Sequence, residues 1–139
     1  MDHHQKYTEL FVDRLEQIFD IIKANLKDGT AKTKLIESSE KAKEFYSSNM
    51  FLPITVIGPL LYKSRKKIHK NKLSYINDMD KYVKNMLDTA DFERYGWMIN
   101  YIKNTFDKST KEVQLQLHKG IKYLLSYYIQ YKSPVELIT

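Results

Sequence analysis

Apolar side chains recur along most of this chain at intervals of three and four residues. That spacing places them on one face of an α-helix, whereas the side chains of a half-buried strand alternate every two residues. No segment sustains such alternation between turn dipeptides. The pattern therefore predicts an all-α fold, a compact bundle of roughly four to five amphipathic helices in a single domain, 1–139.

The predicted helices are separated by glycine, proline or short polar segments. Gly29 marks the end of the first helix, because glycine readily adopts the left-handed conformation that closes many helices. Ser109 and Glu112 have the spacing of a capping box, which marks the start of the last helix, and Pro134 ends it. Four of the predicted helices cover 5–27, 31–48, 91–106 and 109–133. The remaining one, third in chain order, begins near Leu60 or Ser64 and reaches 89.

Residues 50–62 form the longest apolar stretch, in which Thr55 is the only strongly polar side chain. Pro53 and Pro59 each lack a backbone N–H and restrict the preceding residue, so we predict an irregular connection over 49–59. The stretch has three possible roles: a buried connection, a protein-contact surface, or a segment at a membrane interface. Burial is favoured, because the prolines disfavour an interfacial helix.

The composition is that of a folded protein without disulfides. Of the 139 residues, 42% are hydrophobic and none is cysteine, which excludes disulfides and thiolate metal sites. No apolar signal-peptide core follows the N-terminal residues. The longest apolar run falls well short of the ~20 residues that a membrane-spanning helix needs. We expect a cytoplasmic protein.

The excess positive charge is concentrated in one short segment. No acidic residue occurs between Glu44 and Asp78, and this interval holds a cluster of basic residues equal in number to the net charge of +6. A focused basic patch favours an anion, above all a nucleic-acid backbone, although a solvated lysine-rich helix is the alternative. If helical, the segment places most of its lysines on one face. This basic segment, 63–72, contains Lys63, Arg65, Lys66, Lys67, Lys70 and Lys72.

The last predicted helix carries a second set of residues suited to nucleic acid. Tyr123, Tyr127 and Tyr131 recur every fourth residue, with Lys119 and Lys122 close by. Aromatic faces beside cations stack unpaired bases, so Lys119, Lys122 and Tyr127 are further candidate site residues. The alternative is a row of half-buried packing tyrosines with hydrated hydroxyls, which bundle helices favour.

Nothing in the sequence indicates catalysis, a metal site or a cofactor. None of the four histidines has metal-ligand spacing with another histidine or a carboxylate. His118 is expected to be a surface or boundary residue of the last helix rather than a catalyst. There is no glycine-rich phosphate loop. We expect a protein that is not an enzyme and that needs no cofactor.

An acidic stripe follows the first predicted helix. Glu9, Asp13, Glu16 and Asp20 share one face by their spacing of three and four residues. The stripe is either a solvated face or a docking strip for a basic partner.

From Ala42 onward, the order of features is similar to that of a known family. The segment Lys43-Glu-Phe-Tyr-Ser-Ser leads to Leu52-Pro-Ile, then to Ile57-Gly-Pro-Leu-Leu and a lysine-rich turn, and an amphipathic helix over 120–132 follows. This order resembles the small all-helical subunits of multi-subunit CRISPR effector complexes. Pro59 departs from that family, whose comparable stretch is a longer run compatible with a helix.

The resemblance implies a non-catalytic subunit of an antiviral defence complex. Such subunits stack in copies and contact the guide–target duplex or the displaced strand through basic faces. By this resemblance, the nucleic-acid-facing helix would carry Lys63, Arg65, Lys66, Lys67 and Lys70.

The sequence as a whole predicts a non-enzymatic helical module that binds single-stranded or duplex nucleic acid, including RNA, beside other protein subunits. The alternative is a protein-interaction protein, such as a viral or phage inhibitor or an assembly subunit, that uses residues 50–62 and the acidic stripe. Exposure of Phe51, Leu52, Ile54 and Leu60 would favour this alternative, and their burial would count against it. Membrane attachment is not expected.

Overall fold

The computed structural model describes residues 3–26, 29–86 and 97–133. Within these ranges all regular structure is helical, so the predicted all-α fold is confirmed. The ends of the first and third predicted helices, residues 91–96 of the fourth, and Pro134 after the last lie outside the described residues. The described helices are α1 (His3–Asn25), α2 (Thr30–Ser48), α3 (Leu52–Lys63), α4 (Arg65–His69), α5 (Tyr75–Met86), α6 (Trp97–Lys108) and α7 (Lys111–Lys132).

The bundle is built on α1 and α7, which contact each other more extensively than any other described pair of helices. The pair is antiparallel, because His4 near the start of α1 meets Tyr131 near the end of α7, while Ile18 meets Gly120. Each helix buries the apolar face that its periodicity predicted. The buried residues of this pair include Phe11, Leu15, Ile18, Phe19, Ile22, Leu117, Ile121, Leu124 and Leu125.

The other described helices pack around this pair. α2 contacts α1 and α3, α5 lies between α3 and α6, and α4 contacts α7. They complete the core with Leu35, Ile68, Tyr75, Ile76, Met79, Ile99 and Ile102. Among the described helices, none is long and apolar enough to cross a membrane.

The irregular connection predicted over 49–59 is confined to 49–51, and the prediction was wrong from Leu52 onward, where α3 begins. Pro53 lies in the first turn of α3, where the missing N–H has no helical partner in any case and the fixed φ favours a helix. Pro59 lies inside the helix and costs roughly 3 kcal/mol there. Burial of an aliphatic side chain contributes about 1.5–3 kcal/mol, and α3 buries Ile54, Ile57, Leu60 and Leu61 at 4% exposure or less. Burial therefore outweighs the proline.

The third predicted helix is helical from Arg65, as a start near Ser64 predicted, but its continuity was wrong, because the chain leaves the helix between His69 and Tyr75. α3 ends at Lys63, and the amide of Ser64 donates to the Leu61 carbonyl at 3.0 Å. After the five-residue α4, Asn71 has a φ of 56°. This left-handed conformation interrupts the helix, and asparagine is one of the few residues that tolerate it. No glycine or proline occurs over 64–74 to mark these turns.

The start of α7 is shifted by one residue from the predicted capping box. Thr110, not Ser109, is the N-cap, and its Oγ1 accepts a hydrogen bond from the Val113 amide at 3.4 Å. Ser109 instead donates its hydroxyl to the Thr105 carbonyl of α6. Glu112 remains in the first turn of α7, where its negative charge is favourable to the helix dipole.

Candidate nucleic-acid interface

The basic segment surrounds a short helix that is anchored to the bundle by one buried side chain. Ile68 of α4 is 1% exposed and belongs to the core. Four lysines around it are exposed: Lys63 at the end of α3, Lys66 on α4, and Lys70 and Lys72 in the turn that follows. Because α4 is so short, these lysines form a cluster around Ile68 rather than the single helical stripe that the sequence suggested.

Two members of the basic segment are engaged within the protein. Lys67 Nζ forms an ion pair with Asp78 Oδ2 at 2.5 Å, and this hydrogen bond raises the pKa of Lys67. The Arg65 guanidinium lies 4.2 Å from the ring centroid of Tyr62 and donates to the Tyr62 carbonyl at 3.0 Å. The four exposed lysines make no ion pair within the described residues. They are therefore the members best placed to meet phosphates.

The tertiary structure brings Lys122 of α7 to the basic segment. Its Nζ donates to Asn71 Oδ1 at 3.1 Å, across 51 residues of sequence, so its charge lies beside the turn that carries Lys70 and Lys72. Lys119 lies one helical turn earlier and is also exposed. Lys122 thus connects the two groups of lysines that the sequence identified separately. We call them the basic surface: Lys63, Lys66, Lys70, Lys72, Lys119 and Lys122.

The tyrosines of α7 are directed mainly toward α1. Tyr127 is half-buried, with its ring centroid 6.4 Å from that of Tyr7 and 6.1 Å from that of Tyr123. Tyr123 is 38% exposed, but the Arg14 guanidinium lies 4.1 Å from its ring centroid. This geometry fits the packing alternative, and it does not bring Tyr127 to the basic segment.

A buried hydrogen-bond network beneath the basic surface was not foreseen from the sequence. His118, expected at the surface or boundary, is only 4% exposed. Its Nε2 lies 2.9 Å from Asn71 Oδ1, and its Nδ1 lies 2.9 Å from the Tyr75 hydroxyl. Because an amide oxygen only accepts, Nε2 carries the proton and Nδ1 accepts a hydrogen bond from Tyr75. One neutral tautomer therefore satisfies both sides of the ring.

The environment keeps the two ring side chains of this network, His118 and Tyr75, uncharged. Burial and the neighbouring charge of Lys122 lower the pKa of His118 from its ordinary value of 6.5, and burial raises the pKa of Tyr75. Asn71 Oδ1 accepts from both His118 and Lys122. The network thereby fixes the left-handed turn and, with it, the positions of the neighbouring lysines. Sequence separations of 43 to 51 residues explain why no local motif indicated it.

The apolar stretch 50–62 is largely part of the core. Ile54 and Leu60 are 0% and 1% exposed, whereas Leu52 is half-buried and Phe51 is 37% exposed. The inner positions of the stretch are therefore closed to a partner, which counts against its use as a docking surface.

Part of the acidic stripe faces the chain's own lysines. Glu16 and Asp20 line a cavity of about 110 Å³ between α1 and α2, together with Lys23 and Lys43. In the described part of the chain, no group of three histidine and carboxylate side chains is arranged to hold a metal ion.

Comparison of the chain with protein-family models, curated proteins and solved structures found no match. The resemblance to small CRISPR-complex subunits therefore stays a prediction. The function has to be inferred from the chain's own residues and their geometry.

Proposed function

We propose that this protein is a non-enzymatic module that binds the phosphate backbone of a nucleic acid on the basic surface. The observation that carries the proposal is the hydrogen bond between Lys122 and Asn71, which adds a lysine of α7 to an acid-free segment centred on α4. Sequence composition alone explains scattered lysines, but it does not explain their convergence from two distant segments.

Electrostatics supports a polyanion as the ligand. Each phosphate that a lysine neutralises releases counterions, and the logarithm of the affinity then falls with the logarithm of salt by about 0.9 per phosphate for duplex DNA or 0.7 for a single strand. Asp78, the first acidic residue after the basic segment, is paired with Lys67. The exposed lysines of the basic segment lie in an interval without a carboxylate that would repel phosphate.

The module is further proposed to work in the cytoplasm as a subunit of a larger assembly. The order of features shared with the small helical subunits of CRISPR effector complexes supports this part of the proposal. The alternative, a protein-interaction protein that docks through residues 50–62, is less well supported because Ile54 and Leu60 are buried.

The test is a charge reversal at two unpaired lysines, Lys66→Glu with Lys70→Glu. Lys67 is unsuitable, because a glutamate there would face Asp78 and disturb the fold. Fluorescence anisotropy with labelled single strands and duplexes across a salt series should show a steep salt dependence for the wild type. We expect the variant to lose most of its affinity and to have a flatter salt slope.

A matched control reverses two exposed lysines of α2, Lys34→Glu with Lys41→Glu, which changes the net charge by the same amount. Its affinity should fall far less, since α2 has no extensive contact with α4 or α7. Equal losses of affinity in both variants would show that the net charge of the protein, and not the basic surface, determines binding. Absence of binding by the wild type at low salt would refute the proposal.

A further inference from the structure

A cleft opens between α4 and α7 within the basic surface. It has a volume of about 260 Å³. Its floor is aliphatic, formed by Ile68 and Leu125, both at most 2% exposed, and by the half-buried Ile129. Its remaining lining residues are polar: His69, Lys122, Ser126 and Gln130.

The size and lining of this cleft fit one flat heterocycle. Sites for drug-sized ligands occupy about 300–1,000 Å³, so this smaller cleft admits a single ring system rather than a whole nucleotide. An aliphatic floor packs against the face of a ring, and the polar side chains can meet the donors and acceptors on its edge. Lys122 donates one hydrogen bond to Asn71, and its ammonium group has two further protons for an anion.

The positive charge around the cleft indicates that the ring belongs to a larger, negatively charged molecule. His69 and Lys122 line the cleft, and Lys70 immediately follows His69 in an interval without acidic residues. A chain of phosphates along these side chains would hold an attached base over the aliphatic floor. In a duplex the bases are stacked and paired, and extruding one costs free energy, so a base enters such a cleft more readily from a single strand.

We propose that the cleft receives one unpaired nucleobase, so that the protein prefers single-stranded nucleic acid to a duplex. This inference rests on the proposed function and specifies its ligand. RNA and DNA share the base and phosphate chemistry, and the 2′-hydroxyl distinguishes them.

The experiment compares affinities for labelled oligonucleotides of one length: single-stranded RNA, single-stranded DNA, the corresponding duplex, and a single strand with abasic sites throughout. The abasic strand has the same backbone charge but no bases. We expect the base-bearing single strands to bind at least about fivefold more tightly than the abasic strand, the lower end of what a stacked base contributes.

A substitution that fills the cleft tests whether the preference for base-bearing strands arises there. Ser126→Trp places an indole at its exposed edge and should abolish the preference for bases while leaving the salt slope unchanged. Two controls should retain the preference. Leu115→Trp adds the same group at a position of α7 that is 50% exposed. Tyr123→Ala removes an aromatic ring that does not line the cleft but lines a neighbouring cavity of about 300 Å³, which shares Lys122 and Ser126 with it.

The outcomes separate the two proposals. Equal affinity for base-bearing and abasic strands, with a steep salt slope, would refute the base cleft and leave backbone binding in place. Because Ser126 lines both cavities, the tyrosine control decides between them: a preference that disappears in Tyr123→Ala would place the base on the tyrosine and refute the cleft. Absence of binding to every strand would overturn both proposals. The wild-type comparison decides the first question even if Ser126→Trp does not fold.

Discussion

Gly58 lies inside α3 at the point where the ring of Tyr128 from α7 packs against the helix. A Cβ atom at this position would lie 2.1 Å from Tyr128 Cδ1 and 2.6 Å from Cγ and Cε1. Nonbonded carbons prefer about 3.5–4.0 Å, so Gly58→Ala forces the ring and α3 apart. The ring has two further aromatic neighbours, with the centroid of Tyr62 at 6.2 Å and that of Tyr131 at 6.5 Å.

Gly120 provides a matched control for the magnitude. It also lies inside a helix, but a Cβ there would meet Ile18 Cγ1 at 2.9 Å and Cδ1 at 3.2 Å, and an aliphatic side chain can shift more easily than a tyrosine ring. Both substitutions gain about 1 kcal/mol of helix propensity. This gain cancels in the comparison, and overpacking costs about 1–3 kcal/mol. Gly120→Ala carries an overpacking cost of its own at the lower end of this range, so we expect Gly58→Ala to be less stable than Gly120→Ala by up to about 2 kcal/mol.

Urea unfolding followed by circular dichroism measures this difference, and an unchanged m-value shows that the unfolded state is unaffected. In thermal melts the difference corresponds to roughly 4 °C per kcal/mol. Adding Tyr128→Ala to Gly58→Ala should relieve the clash, so that the double variant is more stable than the sum of the single effects predicts. A Gly58→Ala variant as stable as Gly120→Ala would refute the close packing of α3 on α7.

Three further predictions concern charge, pH and an unsatisfied hydroxyl. Asp78→Asn frees Lys67, so it should raise the affinity for nucleic acid and steepen the salt slope by about 0.7–0.9, measured by anisotropy. Because the pKa of His118 is lowered from 6.5 in the folded state, the unfolded chain binds more protons as the pH falls below that value. The contribution of His118 to the free energy of unfolding is therefore complete above about pH 6.5 and is lost as the pH falls toward the lowered pKa. In urea titrations at several pH values, His118→Asn should weaken this pH dependence of stability. The Ser64 hydroxyl is buried without a hydrogen-bond partner in the described part of the chain; Ser64→Ala should therefore raise the free energy of unfolding by about 1 kcal/mol, and a clear loss of stability would show that the hydroxyl has a partner.

Features that depend on neighbours within one helical turn were predicted well. The apolar positions of α1 recur every three or four residues, and Phe11, Leu15 and Ile18 are buried as predicted. The range predicted for the second helix differs from α2 by one residue at its start. Side chains at these spacings share a face in any helix, so the pattern reports the helix before any tertiary contact is known.

Features that depend on competing energies were predicted less well. Pro59 is a strong local signal against a helix, but α3 forms because its apolar side chains are buried in the core. Asn71 gives only a weak signal for a turn, yet its left-handed conformation separates α4 from α5. A sequence pattern does not contain the burial energy or the hydrogen bonds that decide such cases.

The candidate site also combines features that the sequence predicts with features that depend on tertiary contacts. The sequence by itself determined that the chain is helical and that its excess charge lies in an acid-free segment, because periodicity and composition are local properties. Only the tertiary structure decided that Lys67 is paired with Asp78, that Lys122 joins the basic segment through Asn71, and that a cleft lies between α4 and α7. These contacts arise where distant segments pack together, and the packing is set by the burial of the whole core.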